Sequence, residues 1–167
     1  REQAIRDPAT GLLNRRRLIE QLNQAISRAA REQRPLQVCM VDIDNLKPIN
    51  DRYGHAIGDA AIATVADEMR IALGADALLF RYGGDEFVAV LPDAPRGAAI
   101  DRLATLLGRL RRWRPTGSDE RRHLLTASIG LASFPDDGGD AESLLDAADT
   151  ALYRSKKAGG NHVAAAA

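Results

Sequence analysis

The chain has 167 residues, 45% of them apolar, and its 23 basic side chains balance 23 acidic ones. That length suits one domain with a real core, and the balanced charge speaks against a general DNA or RNA binder, which carries a basic excess. The single cysteine, Cys39, excludes a disulfide framework and fits a reducing compartment, and no apolar run is long enough for a membrane span.

Leu18, Ile19, Leu22, Ala25, Ile26 and Ala29 mark one face of an amphipathic helix over 15–33, which Pro35 closes. Leu36 to Ile43 reads as a buried strand, with Cys39 as a small core residue. Residues 44–57 read as a loop punctuated by Pro48, Gly54 and Gly58. A second helix follows over Asp59–Leu73, with Ile62, Val65, Ala66 and Met69 inward and Asp59 a good N-cap. Leu78–Tyr82 and Phe87–Leu91 are strands joined at Gly83-Gly84-Asp85-Glu86, a hairpin turn whose glycines can take positive φ. A third helix carries Ile100, Leu103, Leu106, Leu107 and Leu110, and 111–122 reads as an exposed basic connection. A strand over Leu124–Ser133 and a helix through Leu144, Leu145, Ala148 and Leu152 complete the pattern, ending near Gly159-Gly160. Ala164–Ala167 read as a tail or cloning scar beyond a single domain of residues 1–163, whose N-terminal helix lies within about 1–33.

Without the first and last helices, the order is βαββαβ. This predicts a mixed α/β (α+β) fold, with a ferredoxin-like, palm-type core and a mainly antiparallel sheet flanked by helices. Right-handed connections then set the third strand of this core antiparallel beside the first. The end of the first strand, with Asp42 and Asp44, is thereby expected to meet the hairpin tip, with Asp85 and Glu86.

Four carboxylates at one sheet edge repel one another unless a cation joins them. Hard oxygen ligands suit Mg²⁺ or Mn²⁺, which also bind substrate phosphates, and a pair of such ions can serve phosphoryl chemistry. Taken alone, Asp85-Glu86 reads as a solvated acidic hairpin. Lys47, just past the strand, reads equally as a phosphate contact or an exposed lysine. Asn50 and Asp59 together can read a guanine edge, although Asp59 also reads as a helix cap and His55 as a plain loop residue.

Three stretches, Asp-Ile-Asp-Asn-Leu-Lys-Pro-Ile-Asn (42–50), Asp-Arg-Tyr-Gly-His-Ala-Ile-Gly-Asp (51–59) and Arg-Tyr-Gly-Gly-Asp-Glu-Phe (81–87), closely resemble the signatures of the GGDEF domains of diguanylate cyclases. Asp-Pro-Ala-Thr-Gly-Leu-Leu-Asn-Arg-Arg (7–16), Thr-Ala-Ser-Ile-Gly (126–130) and Ala-Asp-Thr-Ala-Leu-Tyr-Arg-Ser-Lys-Lys (148–157) resemble the opening turn, late strand and last helix of the same family. The resemblance implies that two GTP molecules are condensed into cyclic di-GMP and pyrophosphate across a head-to-tail homodimer. It implies that Asp42, Asp85 and the Ile43 carbonyl hold Mg²⁺ or Mn²⁺, with Glu86 a further ligand or acid–base helper and Asp85 the base for the 3′-hydroxyl. Asn50 and Asp59 would read guanine beside His55, and Lys47 and Lys156 would neutralise phosphates. Gly83 and Gly84 would let the turn approach the nucleotide. It further implies a cytoplasmic domain under an upstream sensor, in a parent protein that is free to be membrane-anchored, with no nucleic-acid or membrane contact of its own.

The sequence departs from the family in three places. Gly160 stands where a phosphate-binding arginine is usual, so Gly160→Arg is expected from sequence to tighten GTP binding. Asn45-Leu46 replaces His-Phe, and Gly74 and Ala77 replace the Arg and Asp of the usual product-inhibition site. Gly160 and the missing arginine at Gly74 favour, as the alternative, a catalytically weak domain that binds GTP or cyclic di-GMP for signalling, and the change at Asn45-Leu46 is neutral. A different palm-like nucleotidyl transferase would share the fold and the carboxylates, but Asn50 and Asp59 speak against adenine.

Overall fold

The computed structural model describes residues 5–122 and 124–167. Its centre is strand β2 (Leu36–Asp44), whose side chains are apolar on both faces: Val38 and Met40 point one way, Cys39, Val41 and Ile43 the other. A strand buried on both sides needs helices on both sides. Around it, in chain order, lie β1 (Leu13–Asn14), α1 (Leu18–Glu32), α2 (Leu46–Tyr53), α3 (His55–Leu73), β3 (Leu78–Arg81), β4 (Glu86–Pro92), α4 (Arg96–Leu110), β5 (Thr126–Phe134), α5 (Ala141–Lys157) and β6 (His162–Ala165).

The six strands form one sheet in the order β1-β3-β4-β2-β5-β6. The four inner strands are antiparallel, and β1 and β6 add parallel edges. On one face, Val65 and Met69 of α3 and Leu103, Leu106 and Leu110 of α4 pack with Cys39, Val41, Phe87 and Ile129. On the other, Leu18, Leu22 and Ile26 of α1 and Leu144, Ala148 and Leu152 of α5 pack with Val38, Met40, Phe80 and Val88. Cys39 is the core residue expected, and burial pushes its thiol up to about 12, so it stays protonated and inert.

The βαββαβ core and the antiparallel neighbours β2 and β4 agree with the sequence. Several local expectations do not. Residues 46–53 are helix α2, with Asn45 in the left-handed region (φ 59) just ahead of it. Pro48 is tolerated there because it lies in the first turn, where backbone N–H groups lack helical partners anyway. Helix α3 begins at His55, so Asp59 is one turn inside the helix and is not its cap. The terminal alanines belong to the fold: β6 pairs with β5 from Ser128↔His162 to Leu131↔Ala165, and Ala164 is buried. Alanine has no patterned polarity to betray a strand, and an edge position is decided by what lies beside it. The 111–122 connection is not simply exposed. Trp113 packs on the core, and the Arg114 guanidinium donates to the carbonyls of Arg111, Trp113, Glu120 and Arg121.

Helix α5 has the clearest local signals. Asp140 accepts from the Ser143 N–H at 2.8 Å while the Ser143 hydroxyl accepts from the Asp140 N–H, a reciprocal cap. The helix crosses β5 over Gly130 and delivers Lys156, in its last turn, to the end of β2.

Candidate active site at the end of the central strand

Register brings the two acidic stretches together. Asp42 stands directly opposite Glu86 in the β2–β4 pair, and the Ile43 N–H donates to the Asp85 carbonyl at 2.9 Å. The β3–β4 turn is closed by the Tyr82 and Gly83 N–H groups, which both donate to the Glu86 carbonyl. Like charges placed opposite each other destabilise a sheet, so this pairing calls for a cation. Asp42 is buried, and Lys156 supplies one charge by contacting its Oδ2. Burial, reinforced by the charges of Asp85 and Glu86, still raises the Asp42 carboxyl above its usual range despite Lys156. A cleft of about 350 Å³ opens here, lined by Asp42, Ile43, Asn45, Asp85, Lys156 and Gly160 among others.

Asp44 lines the same cleft but stands apart chemically, because its carboxylate is already committed to hydrogen bonds. Its carboxylate accepts from Thr126 Oγ1 at 2.9 Å, Ser128 Oγ at 2.7 Å and the Asn161 N–H at 2.8 Å. It fastens β2 to β5 and to the loop after α5. Lys47 also lies apart, because its ammonium pairs with Asp51 at 2.9 Å and is not among the residues lining the cleft. Gly83 and Gly84, which can take positive φ, do not do so here. A Cβ on Gly83 would come within 2.8 Å of Glu86 Oε1, the mobile end of a side chain that can swing aside.

Asn50 lies in the α2–α3 angle. A Cβ on Gly58 would fall 1.6 Å from its Oδ1, so that glycine makes room for the amide. Asp59, next in sequence, and His55 are exposed on the first turns of α3. Helix α2 starts at the cleft with Asn45 and reaches Asn50 after roughly 7–8 Å of helical rise.

Sequence motifs give no role to Arg81, the structural hub of the turn. Its Nε donates to the Gly83 carbonyl at 3.2 Å and its Nη2 to the Gly84 carbonyl at 2.7 Å, while Nη1 holds the Asp7 carboxylate at 3.2 Å. Asp7 also accepts from the Thr10 N–H and hydroxyl. The opening turn is thus tied to the backbone of the acidic hairpin. Burial alone would raise the Asp7 carboxyl, but the bonds from Thr10 and Arg81 and the Arg81 charge outweigh it and hold the group below its usual range. A depressed folded-state value means that this stabilisation is present above the ordinary carboxylate range and is lost as pH falls through the folded value. Asp7→Asn is therefore expected to cost about 1–2 kcal/mol at neutral pH. In melting curves taken from pH 7 downward, the gap to the wild type should close below about pH 4; a gap that stays constant with pH would rule out this linkage.

Gly160 shows why no arginine stands there. Its φ is +76°, and a Cβ would lie 2.8 Å from Asp44 Oδ2 and 3.0 Å from Oδ1, on a carboxylate already fixed by three hydrogen bonds. Contrary to the sequence expectation, Gly160→Arg is expected to destabilise the fold by about 2–3 kcal/mol with no net gain in GTP affinity. Thermal melts and GTP titration check both; tighter binding at unchanged stability would contradict the geometry.

The family model "Diguanylate cyclase, GGDEF domain" matches residues 4–162. The chain is 37% identical over 160 residues to diguanylate cyclase DgcP of Pseudomonas aeruginosa, covering 95% of this chain and 23% of that protein. It is 36% identical over 164 residues to the response regulator PleD of Caulobacter vibrioides, covering 97% of this chain and 36% of that one. Among solved structures, the GGDEF domain of DgcB from Caulobacter crescentus in complex with c-di-GMP superimposes with a TM-score of 0.88 at 30% identity, covering 99% of this chain and 95% of that one. The fold and acidic edge are those of a palm-like nucleotidyltransferase domain. Within that class, the chain belongs to the GGDEF domains of the diguanylate cyclase family. It spans roughly a quarter to a third of the length of those two curated relatives, and no helix among its described residues is long and apolar enough to cross a membrane.

Proposed function

We propose that this chain is a diguanylate cyclase module that joins two GTP molecules into cyclic di-GMP and releases two pyrophosphates. The observation that carries this reading is the register that sets Asp42 opposite Glu86 and the Asp85 backbone against Ile43, one short helix away from Asn50 and Asp59. Family membership and the cyclic di-GMP complex of the related DgcB domain support it.

The residues present fit a divalent cation. The donors are hard oxygens, Asp42 is held above its usual range by burial and by like charges, and the cleft is open, as a site shared with water and phosphate requires. Among the described residues no three His, Cys, Asp or Glu side chains are grouped so as to hold a metal ion by themselves, so water and substrate phosphates would have to complete the coordination. Asp42, Asp85, Glu86 and the Ile43 carbonyl would hold Mg²⁺ or Mn²⁺, which when bound supplies charge stabilisation to the reacting phosphates. Asp85 takes the proton from the 3′-hydroxyl of one nucleotide as that oxygen bonds to the α-phosphorus of the other, with Glu86 assisting. The bond to the leaving pyrophosphate breaks. Lys156 and the exposed Lys47 neutralise phosphate charge, and Asn50 and Asp59 orient guanine with His55 nearby. The chain's work is positioning and electrostatics.

One chain presents one nucleotide site, so turnover needs two copies facing head to tail. Segments beyond this domain in the parent, including a sensor upstream, would set that pairing, and the Asp7–Arg81 tie gives them a path to the turn. A second reading, a binding module that turns over weakly, is favoured by the absence of a cation at Gly160 and by the Lys47–Asp51 pair. Incubating GTP and Mg²⁺ with a series of protein concentrations and separating the products distinguishes them. Cyclic di-GMP rising more than linearly with protein is expected; nucleotide binding without product at high concentration would favour the binding module.

A further inference from the structure

Lys156 has a second relationship in the cleft besides the phosphate role above. Its ammonium sits on Asp42 Oδ2. The two partners are unequal: the Asp42 side chain is 9% exposed and the Lys156 side chain 46%. A buried carboxylate needs a counter-charge, whereas a half-exposed ammonium on a flexible stem returns to water easily. Open space adjoins the cleft at Gly159, where a Cβ would meet nothing within 4 Å. Asp85 and Glu86 act on both partners, so one ammonium faces three carboxylates and the cleft stays net negative.

We propose that Lys156 is an exchangeable counter-ion for Asp42, which gives up the carboxylate when a divalent cation arrives and moves its ammonium onto the nucleotide phosphates. The inference rests on the metal reading above and deepens it. Both cations are drawn to the one buried Asp42 carboxylate, whose Oδ2 the ammonium already holds, so lysine and metal compete in the absence of nucleotide. Once phosphate is present the displaced ammonium has a new partner, and the competition becomes cooperation. Metal and nucleotide then bind as a coupled pair through a residue that ligates no metal.

Coupling of this kind predicts opposite signs for two binding constants in one variant. In Lys156→Met, Mn²⁺ alone, titrated calorimetrically into the whole chain and cross-checked by the electron paramagnetic resonance of free Mn²⁺, is expected to bind about tenfold more tightly, since removing a neighbouring charge changes carboxylate cation affinity by at least about that factor. With Mn²⁺ saturating, the non-cleavable α,β-methylene analogue of GTP is expected to bind roughly tenfold more weakly. Lys157→Met, one residue along and off the cleft, should change neither. A lysine that only contacts phosphate would leave Mn²⁺ binding unchanged, and one that only fastens α5 would weaken both; either result overturns the exchange. The chain has three lysines, so the wild type also reports by ¹³Cε resonance: Mg²⁺ alone should shift Lys156, and a stationary signal at saturating Mg²⁺ would equally overturn it. Mn²⁺ binding that is absent, or indifferent to Asp42→Asn, would instead remove the metal reading itself.

Discussion

Asp85→Ala is expected to cut cyclic di-GMP formation by about a thousandfold or more while the domain stays folded. Two losses combine at one position. The side chain would both hold the metal and take the 3′-hydroxyl proton, and general-base contributions alone are worth about 10²–10⁴-fold. Stability should change little because the structural contact here is made by the backbone: the Asp85 carbonyl accepts from Ile43, and alanine keeps it. The turn is held independently by Arg81 on the Gly83 and Gly84 carbonyls. Turnover measured by product chromatography, with a melting curve on the same sample, gives both readouts. Activity within tenfold of the wild type in a folded variant would exclude Asp85 from the chemistry.

Gly130→Ala is expected to be the most damaging single methyl group in the chain, lowering stability by at least about 3 kcal/mol and the melting temperature by about 6–12 °C. A Cβ there would lie 2.0 Å from the Ala148 carbonyl oxygen and 2.3 Å from the Leu152 nitrogen, on the inner backbone of α5. Backbone cannot rotate out of the way as a side chain can, so the whole helix has to lift. The consequence is also functional: α5 carries Lys156, and lifting it draws Lys156 out of the cleft where the phosphates would lie. GTP binding should therefore weaken even in whatever fraction remains folded. Thermal melts and nucleotide titration test this; wild-type stability in the alanine variant would mean that α5 does not rest on Gly130.

The two positions differ in how far the sequence reveals them. Asp85 is legible there because chemistry at a hairpin tip is local: two carboxylates after two glycines, with a second acidic pair at the end of an apolar strand. Gly130 stands in plain view inside a strand motif, but its necessity comes from a helix that begins eleven residues later. Arg81 lies within a motif without a legible role, because its partner Asp7 is 74 residues away. Asp44 reads as one of four carboxylates at the sheet edge because it stands at the same strand end as Asp42; Thr126, Ser128 and the Asn161 N–H engage it, and all three lie more than 80 residues downstream.

The sequence alone determined the order of the core elements, the antiparallel meeting of β2 and β4, the acidic edge and the family, because apolar periodicity and short motifs are properties of neighbouring residues. Helix α2, the β6 strand in the terminal alanines and the real function of Gly160 were decided by tertiary structure. A short segment rich in turn residues, or one of bare alanine, has no local preference strong enough to fix it. Its conformation is chosen by the surface it packs against, and at Gly160 by a carboxylate that arrives from the far side of the chain.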